Sequence, residues 1–215
     1  SVLSGVSDNG RSELVSSIRD SYGYTVLTRA AMRGHTELCV TLLSSLPPAD
    51  RLKLILVNKY TALHSAAYRG YTETVSGILN CLTADQQLTL LFTQNSDGDT
   101  SLHYAAREGH AETVRILLDN LTPEQQLQLL ITQNNSGDTA LHNAARWGRT
   151  EAVKTLLGIT PEQQLKLLSV KDKEGNTASQ EAVGHDGTSD MMRTLEQYQK
   201  EAEHRVKFRK FAKFS

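Results

Sequence analysis

Apolar residues recur along the chain at the spacing of short helices, and polar residues mark where each helix begins and ends. Two apolar faces follow one another in residues 100–118; the first consists of Leu102, Ala105 and Ala106, and the second of Val114, Leu117 and Leu118. Thr100 is a helix start signal, and Gly109 is a stop signal between the two faces. The pattern predicts two short helices that run in opposite directions.

This two-helix pattern repeats. Thr, Leu-His, Ala-Ala and Gly return in register at 61–70, 100–109 and 139–148, and a weaker copy lies at 25–34. Successive threonines are 36, 39 and 39 residues apart, and a divergent fifth unit begins at Thr177, 38 residues further on. The segment before each threonine is expected to be a tight turn, called a tip below; clusters of Gly, Asn and Asp favour such turns most clearly at 95–99, 134–138 and 171–176. Repetition at this period predicts stacked units, so that function depends on a binding surface.

Each unit also contains a segment that predicts a third short helix. These segments are 82–91, 121–130 and 159–168, with a divergent version at 46–55. Thr122 is the expected N-cap, Pro123 the first helical residue and Gln125 the partner that completes a capping box. Leu127 and Leu130 are expected to pack inward. We interpret the segment as a structural extension of the unit; the alternative is that its Gln-Gln pair serves a ligand.

The repeated residues resemble the ankyrin repeat. The family pattern of Thr-Pro-Leu-His, Ala-Ala, Gly-His and Leu-Leu is matched closely over residues 58–157 and more loosely over 21–43 and 172–195. The chain departs from this pattern, because the family's proline is absent throughout, Thr28 replaces the first histidine, and Ser-Gln replaces Leu-His in the fifth unit. The family unit has about 33 residues. The resemblance implies an all-α ankyrin-repeat solenoid with hairpin-like tips, here extended by the added short third helix.

We expect three regions along the chain. Residues 1–20 are an N-terminal cap or partial repeat, 21–187 the repeat array, and 188–215 a C-terminal capping helix and basic tail. The last twelve residues contain five Lys or Arg and no acidic residue. Phenylalanines recur there at every third position: Phe208, Phe211 and Phe214. They are interpreted as a cover for the open end of the stack. The alternative is that this basic segment binds an acidic membrane surface, an acidic groove or nucleic acid.

One histidine per unit invites a metal or general-base interpretation, which the spacing argues against. His64, His103 and His142 are one repeat apart, roughly 10 Å in a stacked array, whereas zinc ligands lie about 2 Å from a shared ion. The resemblance implies that these histidines hydrogen-bond the backbone of adjoining turns. No phosphate-binding loop, nucleophile elbow or Cys/His cluster occurs in the sequence. We therefore expect no enzyme activity, no metal and no cofactor.

Charge and cysteine content limit the classes of partner and the cellular compartment that we expect. The net charge of −1 gives no reason to expect nucleic acid as a partner. Cys39 replaces the valine of other units and is expected to be buried in a helix, whereas Cys81 falls in a loop. Two unpaired thiols suit a reducing compartment, so a cytoplasmic location is expected. No apolar run reaches the roughly 20 residues of a transmembrane helix.

The resemblance also implies where a partner binds: at the tips and at the two positions before the glycine that ends each first helix. These residues are Tyr22, Tyr24 and Tyr60 at the tips, and Met32, Arg33, Tyr68, Arg69, Arg107, Glu108, Arg146 and Trp147 at the helix ends. Arg, Tyr and Trp are the residue types that dominate binding hot spots. One arginine per unit favours an acidic or extended partner segment. The alternative is that arginine is a common solvated residue at this position.

The predicted function is therefore a non-catalytic protein–protein interaction scaffold, expected to be a monomer, which binds its partner on the concave face and the tips. Two alternatives belong to other functional classes. One is a substrate-recruiting module of a larger enzyme, and the other is a membrane-associated scaffold that uses its basic C-terminal segment.

Overall fold

The computed structural model describes residues 17–119, 121–182 and 188–212. The helices are α1 (Val26–Met32), α2 (Thr36–Ser44), α3 (Pro48–Ile55), α4 (Ala62–Arg69), α5 (Thr72–Asn80), α6 (Ala84–Leu91), α7 (Ser101–Glu108), α8 (Ala111–Leu118), α9 (Pro123–Leu130), α10 (Ala140–Arg146), α11 (Thr150–Leu156), α12 (Pro161–Leu168), α13 (Ala178–Glu181) and α14 (Thr188–Ala212). Within these ranges, extended pairing is limited to isolated antiparallel bridges of Arg19 with Thr25 and Lys171 with Thr177. The all-α prediction is confirmed.

The helices pack in rows that run along the stack. Helices α1, α4, α7, α10 and α13 lie side by side as the first helices of units 1 to 5, and α2, α5, α8 and α11 form the second row. Ala66 and Ala105 in the first row are fully buried. Their small side chains let the neighbouring first helices approach closely. Cys39 lies in the same core, as predicted, and Cys81 is partly exposed at the end of α5. The core is therefore a continuous strip, as a solenoid requires.

The first helices begin and end at the predicted signals. In α4, the hydroxyl of Thr61 accepts a hydrogen bond from the backbone N–H of His64, and Gly70 ends the helix with a φ of 69°. A Cβ atom at Gly70 would lie 2.5 Å from the ring of His110, which bonds to the carbonyl of Tyr68 in the preceding unit. Glycine is needed here both for the left-handed backbone and for this contact between units.

The third helices also form as predicted. In α9, Thr122 and Gln125 make a capping box, with Pro123 in the first turn. Leu130 is buried, but the prediction that Leu127 packs inward is wrong, since Leu127 stays partly exposed and Leu129 is buried instead. Successive helical residues point about 100° apart, so a face centred between residues 129 and 130 leaves residue 127 at its edge.

Both glutamines of the third helix bond to backbone carbonyls. In α12, Gln163 donates Nε2 to the carbonyl of Pro123 in the preceding unit at 2.8 Å. Its neighbour Gln164 donates Nε2 to the carbonyl of Leu157, at the end of the second helix, at 2.6 Å. The last carbonyls of a helix have no intrahelical partner, and Gln164 supplies a donor to one of them, that of Leu157. The bonds support the interpretation of the Gln-Gln pair as part of a structural extension.

The tips of units 1, 3, 4 and 5 form the same type of turn, and the tip of unit 2 is shorter. In the tip of unit 3, the side-chain oxygen of Asn95 accepts hydrogen bonds from the backbone N–H groups of Asp97 and Asp99, both at 2.9 Å. The tips at 20–24, 134–138 and 172–176 repeat this arrangement. In unit 2, α3 ends at Ile55 and residues 56–60 lead directly to Thr61. The interval from Thr25 to Thr61 is 36 residues instead of 39, and the tip of unit 2 is the segment that is shorter.

Hydrogen bonds join neighbouring tips of units 3 to 5. The backbone N–H of Asn135 donates to the carbonyl of Asp97 at 2.9 Å, and that of Lys173 donates to the carbonyl of Ser136 at 3.0 Å. Among the described residues, no hydrogen bond joins the short tip of unit 2 to the tip of unit 3. The row of tips is thus interrupted at this interface.

Helix α14 packs against α10, α12 and α13 at the C-terminal end of the stack. Its buried face contains Met191, Leu195 and Ala202. The prediction that Phe208 covers the stack is wrong, because this side chain is 69% exposed. At 100° per residue it points away from the face that the three buried residues define.

Parts of the expected end caps lie outside the description above. The expected N-terminal cap falls almost wholly within residues 1–16, and Phe211 and Phe214 are not among the described side chains. None of the helices described combines the length and apolar character that a membrane span requires.

Candidate functional site

The repeated histidines hold neighbouring units together. Nδ1 of His64 accepts a hydrogen bond from the backbone N–H of Thr61 at 3.1 Å, so Nε2 carries the proton and donates to the carbonyl of Asp99 in the next tip at 3.0 Å. His103 and His142 bond in the same way to the tips of units 4 and 5. Burial lowers the pKa of His64 to about 4 and also lowers the pKa of the other two rings. Each ring is therefore neutral and structural, as the resemblance implied.

The residues expected to bind a partner lie at the tips and at the ends of the first helices, with different exposures. Tyr22 is 78% exposed in the tip of unit 1, and Trp147 is 50% exposed at the end of α10. Arg33 and Arg69 are exposed and form no ion pair within the described residues. The remaining members are partly exposed: Tyr24, Met32, Tyr60, Tyr68, Arg107, Glu108 and Arg146.

Tyrosine rings from units 1 to 3 form one connected cluster. The ring centres of Tyr24 and Tyr60 are 6.3 Å apart, and Tyr60 meets Tyr104 edge to face at 5.6 Å. Tyr104 also meets Tyr68 edge to face at 5.8 Å. Such tilted and edge-to-face pairs are the arrangements that aromatic rings favour. The cluster lies beside the short tip of unit 2, which contributes Tyr60.

Three arginines lie over these rings. The guanidinium carbon of Arg29 is 5.4 Å from the ring centre of Tyr22 and 5.0 Å from that of Tyr24. Arg69 lies 5.4 Å from the ring centre of Tyr68. Arg107 lies 5.6 Å from the same ring and 4.9 Å from that of Tyr104. These distances are within the range of cation–π attraction. We call the whole set the Tyr–Arg surface: Tyr22, Tyr24, Arg29, Tyr60, Tyr68, Arg69, Tyr104 and Arg107.

Two members of this surface, Arg29 and Tyr104, were missed by the sequence reasoning. Both occupy the position after the His of the repeat, or after the Thr that replaces it, where other units have Ser65 and Asn143. Tyr104 is only 9% exposed, and its hydroxyl accepts a hydrogen bond from the side-chain amide of Asn95 at 2.8 Å. A tyrosine at a position that varies between units was the available signal, but the expectation covered only the positions nearer the glycine.

The inner phenols of this surface are protonated at neutral pH, and burial moves their pKa still higher. It raises the pKa of Tyr104 to about 12 and also raises the pKa of Tyr60. Because the oxygen of Tyr104 already accepts a hydrogen bond from Asn95, its own proton remains to be donated. Tyr104 therefore retains one hydroxyl donor within the cluster.

The arginines of the predicted row are in different electrostatic states. Arg107 donates Nε to Glu108 at 3.1 Å. Arg146 donates Nη1 and Nη2 to Asp138 at 2.7 and 2.8 Å and Nε to Glu181 at 2.7 Å. These hydrogen bonds raise the pKa of Arg146 further above its ordinary value. The positive charge of the row is therefore compensated at unit 4 and left accessible at units 1 and 2.

The basic C-terminal segment lies at the other end of the molecule. Pro161, His204, Arg205, Phe208 and Arg209 line an open groove of about 550 Å³ between α12 and α14. A long ion pair of 3.4 Å connects Arg209 with Glu162 beside this groove. The groove is separate from the Tyr–Arg surface, which belongs to units 1 to 3.

Comparison with known proteins agrees with the repeat architecture. A family model described as ankyrin repeats matches the chain in three overlapping copies, at residues 7–90, 46–128 and 86–165. Together these matches cover more than half of the 215 residues and include every residue of the Tyr–Arg surface. No curated protein matches the sequence.

Proposed function

The chain belongs to the ankyrin repeat family, whose members are generally protein–protein interaction modules, and we propose that this protein is a non-catalytic scaffold that binds another protein through its Tyr–Arg surface. The observation that carries the proposal is the continuity of this surface over three units. Five tyrosines and three arginines lie within 6.3 Å of a neighbour of the set, measured between ring centres or from guanidinium carbon to ring centre.

The residue types of this surface suit binding. Tyrosine and arginine combine a large contact area with directional hydrogen-bond donors, and both are enriched among hot-spot residues. Their mutual stacking also limits side-chain freedom before a partner arrives, which lowers the entropy cost of binding. The outer members, such as Tyr22 and Arg69, are exposed, whereas the nearly buried Tyr104 contacts Tyr60, Tyr68 and Arg107.

The partner that fits best is an acidic or extended segment of another protein. Arg33 and Arg69 carry charges without an ion-pair partner among the described residues, and a guanidinium group can take a carboxylate in a forked hydrogen bond. The exposed Trp147 and the partly exposed Tyr68 offer apolar contact area. Because the charges are near the surface, added salt should weaken such binding.

A pull-down with mass spectrometry tests this function. The wild-type protein is compared with a variant that carries Tyr22→Ala, Tyr68→Ala and Arg107→Ala, and with a control that carries Glu124→Ala and Gln128→Ala on the exposed side of α9. We expect the first variant to lose the partners that wild type captures and the control to keep them, with equal helical content by circular dichroism. Retention of all partners by the triple variant would place the binding site elsewhere.

A further inference from the structure

Two arginines from adjacent units flank one tyrosine ring. Arg69 is the last residue of α4, and Arg107 lies in the last turn of α7. Their guanidinium carbons lie 5.4 and 5.6 Å from the ring centre of Tyr68. The two carbons are therefore separated by no more than about 11 Å, which about three residues of extended chain can span. One short peptide segment can reach both arginines.

Both guanidinium groups retain hydrogen-bond donors. Arg69 forms no ion pair within the described residues, and Arg107 bonds to Glu108 through Nε alone, which leaves its two terminal nitrogens. Arg146 occupies the same row one unit further on, but all three of its nitrogens already bond to carboxylates. The capacity for new carboxylates thus ends at unit 3.

We infer that Arg69, Tyr68 and Arg107 form a clamp for two carboxylates that are carried two residues apart on an extended acidic segment of a partner protein. The inference rests on the proposed function and specifies the chemistry of the partner. Alternate residues of an extended strand point to the same side and lie about 7 Å apart, a spacing below the upper limit of about 11 Å between the two guanidinium carbons. The residue between them points away from the clamp and contributes nothing to recognition.

One arm of the clamp, Arg107, is held in position by a nearly buried tyrosine ring. Arg107 lies 4.9 Å from the ring centre of Tyr104, which is nearly buried and is fixed by its hydrogen bond to Asn95. An arginine stacked on a ring keeps its N–H groups at the edge of its plane, where they can meet a carboxylate. Because this arrangement exists before binding, little ordering is needed when a ligand arrives.

Nuclear magnetic resonance can test the clamp even for a weak ligand. The probes are two peptides of equal composition, Gly-Ser-Glu-Leu-Glu-Ser-Gly and Gly-Ser-Glu-Glu-Leu-Ser-Gly, titrated into the labelled full chain at low salt. We expect the Nε–H signals of Arg69 and Arg107 to shift with the first peptide, and the second to bind about fivefold more weakly because it offers one carboxylate on each side. Equal affinity for the two peptides overturns the clamp, as does a shift at neither arginine.

Variants supply the second half of the test. Arg69→Gln with Arg107→Gln should weaken the first peptide about tenfold or more, whereas Arg193→Gln, an exposed arginine of α14, should leave its affinity unchanged. Arg107→Lys keeps the charge but lacks the fork, so it should reduce the preference between the two peptides. Unchanged binding by the double glutamine variant overturns the inference.

The outcome for the clamp can be separated from that for the proposed function. If the peptides do not distinguish the arginines while the triple alanine variant still loses its partners in the pull-down, the Tyr–Arg surface binds a protein of different chemistry and the clamp is wrong. If the triple variant keeps its partners, the proposed function itself fails.

Discussion

Replacing Gly98 by alanine tests how far the array depends on contacts between tips. Gly98 lies in the tip of unit 3 with a φ of +79°, and a Cβ atom there would lie 2.6 Å from the backbone nitrogen of Asn135 in the next tip. Gly148, at the end of α10, has a φ of +63°, and no heavy atom lies within 4 Å of its Cβ position. The two glycines share the backbone conformation and differ in their surroundings.

The structure gives different magnitudes for the two substitutions. An alanine in the left-handed region costs about 1 kcal/mol at either site. At Gly98 the tip of unit 4 must also move, which breaks the bonds from Asn135 to the carbonyls of Asp97 and Ser96, both 2.9 Å long. At about 1 kcal/mol for each bond, Gly98→Ala should lower the free energy of unfolding by about 3 kcal/mol and Gly148→Ala by about 1 kcal/mol.

Urea denaturation followed by circular dichroism measures both losses on the same chain. We expect a clearly lower midpoint for Gly98→Ala than for Gly148→Ala, with little change in the slope of the transition. Equal losses would refute the reasoning, because they would mean that the left-handed backbone alone explains the cost. A loss at Gly98 of about 1 kcal/mol would likewise show that the tips rearrange without breaking their bonds.

Three further substitutions test polar side chains that bond to buried partners. In the folded protein His64 has a pKa of about 4, so at pH values below its ordinary pKa the unfolded chain binds more protons than the folded chain. The free energy of unfolding should therefore fall by roughly 3 kcal/mol as the pH is lowered from about 6.5 to about 4. In urea titrations, His64→Gln should remove this part of the pH dependence. An unchanged pH profile for that variant would contradict the assignment. Gln164→Ala should cost about 1–3 kcal/mol in urea denaturation because the buried carbonyl of Leu157 loses its donor, whereas the exposed control Gln128→Ala should change stability by less than about 0.5 kcal/mol. Arg146→Ala should cost about 2 kcal/mol in the same assay, since it leaves the carboxylate of Asp138 unpaired; a variant as stable as wild type would contradict the view of Arg146 as a structural residue.

Much of the fold could be predicted from the sequence because its signals are local. Thr122, Pro123 and Gln125 lie within four residues, and the capping box they form depends only on that spacing. The histidine of each unit could be assigned because the resemblance supplied its long-range partner. The inward face of the third helix was harder to predict, because Leu130 can share a buried face with Leu127 or with Leu129. Tertiary contacts bury Leu129 and leave Leu127 partly exposed.

The candidate site could be predicted only in part, because its electrostatics depend on residues far apart in sequence. Arg146 and Glu181 are 35 positions apart, and nothing in the local pattern indicates that they bond. The local pattern did not indicate Tyr104 for a related reason, because the rings that it contacts, Tyr60 and Tyr68, belong to a neighbouring unit. Residue type and repeat position located the surface; which arginines remain accessible required the structure.

The short tip of unit 2 has a consequence for how the array opens. In a linear stack, stability is roughly a sum of terms for single units and for the interfaces between neighbours. Among the described residues, the interface between units 2 and 3 lacks the tip hydrogen bonds of the later interfaces, so the tips contribute less to its coupling term. We expect the array to separate there into two cooperative blocks, with units 1 and 2 exchanging their amide hydrogens sooner than units 3 and 4. Since Tyr60 and Tyr104 face each other across this boundary, a partner bound to both blocks would join them into one cooperative unit.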